Sequence, residues 1–121
     1  MPRDVKLVNC TPHMITIFLD DGMVLDIPPS HIVARRAEHR QRFETVCVDG
    51  VEIPLTRKWY GAHESLPPEQ PGVYYIVSVL TSQDSTRKDL LVPDMQVRDN
   101  GGRTLGCRTL ALLGRDPTTV P

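Results

Sequence analysis

Aromatic residues are scarce in this chain, with one Trp, three Tyr and two Phe among 121 residues. Long hydrophobic runs are missing too. No stretch approaches the ~20 apolar residues that a membrane-crossing helix needs, and Met1-Pro2-Arg3-Asp4-Val5-Lys6 lacks the apolar run of a signal peptide. No membrane partner is expected, and the expected location is cytoplasmic. Charge of one sign is not in excess: fourteen basic and fifteen acidic side chains leave a net charge of -1. That excludes a global attraction for an extended nucleic acid or an anionic membrane, so any anion site must be local. The three cysteines, Cys10, Cys47 and Cys107, are odd in number and scattered, which fits reduced thiols better than a disulfide framework. The chain also lacks G-x-S-x-G, G-x-x-x-x-G-K-[ST] and G-x-G-x-x-G, so no nucleophile elbow or phosphate loop is written in it.

Punctuation is plentiful. With 11 Pro and 8 Gly, most segments between breaks are too short for a long helix, and strands are favoured. The expected fold is mainly β, a compact small sheet or barrel-like domain of hairpins with at most one short helix, spanning 1–113 and followed by a flexible tail at 114–121. Val5 to Cys10 and Met14 to Leu19 read as strands, and Asp20-Asp21-Gly22 turns the second into Met23 to Ile27, which Pro28-Pro29 stops. Asp49-Gly50 is a two-residue hairpin signal joining Phe43–Val48 to Val51–Leu55. Thr56 to Gly72, with its Gly and Pro breakers, reads as a loop of the length that is often functional. Val73 to Leu80 reads as a buried central strand through at least Val77, with a short helix possible over Ser78–Ser85. Asp89 to Val92 reads as a strand ended by Pro93. Met95–Asp99 and Arg103–Leu112 flank the turn residues Asn100-Gly101-Gly102.

Candidate site residues fall in three stretches. Arg35, Arg36, His39, Arg40 and Arg42 crowd five potential cations together. In an extended segment Arg36, Arg40 and Arg42 share a face that can grip phosphates, although a charged edge strand explains the same pattern. Arg98, Asp99, Arg103 and Arg108 meet across a hairpin either as cross-strand ion pairs that set its register or as one wall of an anion pocket, with Asp94 or Asp99 accepting from a ribose or base amine. His13 follows Pro12 at the tip of a turn, placed to act on a ligand or to cap the main chain. Tyr74 and Tyr75 point to opposite sides of a strand, and the exposed one, assigned to Tyr75, can stack on a base. Cys10 and His13 have a single C-x-x-H spacing with no second pair, so neither a metal nor a cofactor is expected.

Taken together, Val8-Asn9-Cys10-Thr11-Pro12-His13, Ile27-Pro28-Pro29-Ser30, Val73-Tyr74-Tyr75-Ile76-Val77-Ser78 and Asp89-Leu90-Leu91-Val92-Pro93-Asp94 through Arg98-Asp99 and Gly106-Cys107-Arg108 resemble a family of small, mostly uncharacterised bacterial and phage proteins. The resemblance implies a context in which compact phage-encoded domains counter host defence, one class of them by sequestering nucleotide second messengers in the host cytoplasm. The leading expectation is a non-catalytic, homo-oligomeric binding protein. It captures a small phosphorylated or nucleotide-like ligand with His13, Arg36, Tyr75, Asp94, Arg98, Asp99, Arg103 and Arg108. The alternatives are a small phosphodiesterase using His13 with Asp94 or Asp99, and a protein-interaction accessory domain.

Overall fold

The computed structural model describes residues 2–83 and 86–114. All but Gly114 of the expected tail therefore lies outside the described residues. The chain is mainly β, as its punctuation implies. Six strands form one mixed sheet in the order β1 (Lys6–Asn9), β6 (Val73–Ile76), β7 (Leu90–Arg98), β8 (Thr104–Ala111), β2 (Ile15–Phe18), β3 (Val24–Ile27). The remaining two, β4 (Arg35–Val48) and β5 (Val51–Glu64), pair only with each other. A single turn of helix, α1 (Val79–Ser82), lies in the crossover between the parallel strands β6 and β7, a connection that needs about a dozen residues.

The expected hairpins form where their turn chemistry stands. Gly22 (φ 87°) and the Asp21 carboxylate, which accepts from the Met23 amide at 2.9 Å, close the β2–β3 turn. Asp49 and Gly50 have φ 49° and 81°, the doubly positive geometry of a type I′ turn, and join β4 to β5. β6 is the buried centre that its Val-Tyr-Tyr-Ile-Val run implies: Tyr75, Ile76 and Val77 are at most 3% exposed. Tyr75 and Val77 pack with Cys10, Ala34, Leu90 and Val92 into one core cluster. β8 and β2 approach so closely that a Cβ on Gly106 would sit 2.5 Å from the Thr16 carbonyl oxygen.

Two expectations are overturned. Thr56–Gly72 is loop only from Ser65 onward; β5 runs on to Glu64, because β4 offers its whole length as a partner although both strands are largely solvated. Pro93 does not end a strand. β7 continues through it to Arg98, because β6 stops at Ile76 and the flank of β7 beyond Leu91 has no strand there to need the missing N–H.

Candidate functional site

Asn9 organises the end of β1. Its buried side chain accepts from the Thr11 amide (3.0 Å) and hydroxyl (2.7 Å) and donates to the carbonyls of His13 (2.7 Å) and Ile27 (3.0 Å). Both lone-pair sites and both N–H groups are thereby used. This fixes the Thr11-Pro12-His13 reversal and ties the end of β3 to the end of β1, the two outer strands of the sheet. Ser30 closes the same corner, donating from its amide and hydroxyl to the Asn9 carbonyl at 2.9 and 2.8 Å.

The chain then enters β4 beside that corner. The Ala34 amide donates to the Cys10 carbonyl at 3.0 Å, and the Thr81 hydroxyl of α1 donates to the Ala34 carbonyl at 3.3 Å. Arg36 clamps the root of the β4–β5 ribbon: its guanidinium donates to the carbonyls of Gly61 (3.2 Å), Tyr60 (3.1 Å) and Gln83 (3.4 Å) and lies over the Tyr60 ring. His63, opposite Arg36 in the ribbon, is bonded through Nε2 to the Thr81 carbonyl at 2.8 Å. Where the turn, the ribbon root and α1 meet, they leave a cleft of about 300 Å³. It is lined by the apolar residues Pro12, Val33, Ala34 and Leu80 and by Thr11, Arg35, Arg36 and Ser78.

Cys10 also lines this cleft, but burial pushes its thiol above the ordinary range, against smaller downward pulls from the Ser30 hydroxyl and the Arg87 charge. Burial likewise raises Cys107. Neither is a ready thiolate nucleophile. Among the described residues no cluster of three or more His, Cys, Asp and Glu side chains is arranged to hold a metal ion.

The structure disperses the eight residues singled out from sequence. Arg36 alone lines the cleft just described. His13 is exposed and lines a second cleft, about 370 Å³, between β2 and the β7–β8 hairpin, beside Met14, Gln96 and Leu105. Arg98 stands near it, donating to the Gln96 side chain at 2.7 Å. Asp99 is a turn cap whose carboxylate accepts from the amides of Gly101 and Arg103 at 2.9 Å each. The cross-strand pairing expected of Asp99 with Arg98, Arg103 and Arg108 is therefore replaced: among the described residues no ion pair joins them, because turn amides already hold the carboxylate. Asp94 and Arg108 are exposed on neighbouring strands, with Thr109 opposite Asp94. Tyr75 is the core member of its pair, 3% exposed, with its hydroxyl donating to the Pro68 carbonyl at 3.0 Å. Its ring faces the interior and the Arg87 guanidinium rather than a ligand.

Sequence reading passed over two residues that carry much of this region, Asn9 and Arg87. Arg87 forms a two-pronged pair with Asp89 (2.9 and 2.6 Å) and donates to the Pro67 carbonyl at 2.7 Å. The only local sign was its i, i+2 spacing from Asp89 at the entry to β7. No family model, no curated protein and no solved structure matches the chain.

Proposed function

We propose that this protein is a non-catalytic binding protein that holds a small phosphorylated or nucleotide-like molecule in the cleft at the root of the β4–β5 ribbon. One observation carries the reading: that cleft is lined by Pro12, Val33, Ala34 and Leu80 together with Arg35 and Arg36. Ligand pockets are mostly apolar with a few placed polar groups, and guanidinium is the side chain best shaped for phosphate. The apolar residues suit a base or sugar face, and the arginines suit its phosphate. The resemblance to phage proteins adds nucleotide second messengers of host immunity to the ligands worth offering.

The full chain is dialysed against inorganic phosphate, mononucleotides and cyclic dinucleotides, then denatured and the ligand recovered. Depletion with recovery of intact ligand supports capture. Altered ligand would mean turnover, and absence of depletion across the set overturns the reading. Arg35→Ala is expected to weaken binding by roughly tenfold or more, the scale of a lost charge-assisted hydrogen bond. His13→Ala should leave binding unchanged. The reverse pattern would move the site to the cleft beside β2.

A further inference from the structure

The β4–β5 ribbon is an arm. Fourteen residues in each strand reach about 45 Å, and the hydrogen bonds to the body described above come from its root at Ala34, Arg36 and His63. The outer part carries two unlike faces. Along β5, the period of two sets Val51, Ile53, Leu55, Arg57 and Trp59 on one face and Glu52, Pro54, Thr56, Lys58 and Tyr60 on the other. The register adds Val46 and Val48 to the first face, opposite Ile53 and Val51. A bulge where the register shifts between Arg42 and Glu44 brings in Phe43, whose ring lies 4.8 Å from the Arg57 guanidinium carbon. His39 stacks on Trp59 at its inner end. Phe43, Val48, Val51, Ile53 and Trp59 on this face are 42–62% exposed.

We infer that this face is a self-association surface, on which two copies of the chain pack arm against arm, antiparallel about a two-fold axis. The proposal stands apart from the cleft and its ligand. Charge selects the occupant and its direction. On this face Glu44, opposite Leu55, lies outward of Arg57. Antiparallel packing sets Glu44 of one arm against the Arg57 of its copy, whereas parallel packing aligns like charges. A two-fold contact needs this kind of self-complementarity. Size agrees: half-exposed aromatic and branched side chains present roughly 100 Å² each, so the five on each copy together approach the roughly 1,000 Å² of a specific interface. A solitary two-stranded ribbon is also marginal in water, and a second ribbon on its apolar face removes that weakness.

Sedimentation of the full chain over micromolar concentrations is expected to give twice the chain mass. Ile53→Lys should return the monomer with unchanged far-UV circular dichroism. Should that variant misfold, the charge pair decides. Glu44→Arg or Arg57→Glu alone is expected to weaken association about tenfold, and the two together to restore it. Spin labels on Cys47, the exposed thiol on the opposite face, should lie roughly 35 Å apart in the antiparallel pair and roughly 25 Å apart in a parallel one. A monomer at all concentrations, a dimer indifferent to both the Ile53→Lys and the charge variants in a folded chain, or the short label distance would overturn the proposal.

Discussion

Strands β6 and β5 are built from the same kinds of residue and meet opposite fates. In β6, Tyr75 and Ile76 are 3% and 0% exposed, whereas in β5, Val51, Ile53 and Trp59 are 62%, 42% and 48% exposed. The difference lies in what flanks them. β6 is hydrogen-bonded between β1 and β7 and covered by Cys10, Ala34 and Val92. β5 has one neighbouring strand, β4, and among the described residues no other element packs along it beyond its root. Apolar composition makes a segment competent for burial; a second layer is what buries it.

Truncating an isoleucine in each region gives the widest separation. Ile76→Ala is expected to destabilise the chain by about 3–4 kcal/mol, since it empties a fully enclosed site. Ile53→Ala at high dilution should cost less than about 1 kcal/mol, because the side chain is half solvated already. Chemical denaturation of both variants tests the contrast, and equal losses would break it. A rise in the Ile53→Ala cost with protein concentration would sharpen it, placing the arm's missing layer in a second copy.

Asn9→Ala comes next, at about 2–3 kcal/mol, because it strands the Thr11 amide and the His13 and Ile27 carbonyls where they are partly or wholly buried. Denaturant titration checks it, and a loss under about 1 kcal/mol would mean that the turn stands without its organiser.

The thiols supply the smallest effect. Iodoacetamide at mildly alkaline pH should modify Cys47 in the native chain and all three cysteines only after unfolding. Because burial raises the Cys10 and Cys107 pKa values, both states keep those protons at neutral pH. Above the free-thiol range of about 8.5 the unfolded chain ionises first, so stability falls as pH rises. Rapid native labelling of Cys10 would break the account of a closed core.

Much of the architecture was readable residue by residue. Asp49-Gly50 and Asp99 to Gly102 marked their turns because positive φ and side-chain caps are local properties of Gly and Asp. The Val73–Val77 run announced a buried strand because it is apolar at every position. The reach of β5 was not readable, since the apolar alternation of Val51–Leu55 gives way to Thr56-Arg57-Lys58-Trp59-Tyr60-Gly61, which shows none. Pro93 read as a stop because its tolerance depends on where the neighbouring strand ends.

Sites fared worse than strands. The sequence grouped Arg36 with Arg98, Arg103 and Arg108 by residue type, but proximity is a tertiary property, and the sheet order sets Arg36 at the arm's root and the others on and around the β7–β8 hairpin. The cleft draws on Cys10–Pro12, Val33–Arg36 and Ser78–Thr81, which are far apart in the chain and meet through the parallel pairing of β1 with β6 and the hydrogen bonds of Asn9, Ala34 and Thr81.

The sequence by itself determined a β-rich chain, its turns and its central strand, because these follow from backbone preferences and from apolar content along a few neighbouring residues. Only the tertiary structure decided which of Tyr74 and Tyr75 faces the core, that Asp99 holds amides rather than arginines, and that one ribbon stands clear of the body with its apolar face bare. Those outcomes depend on which strands become neighbours, and no single segment contains that information.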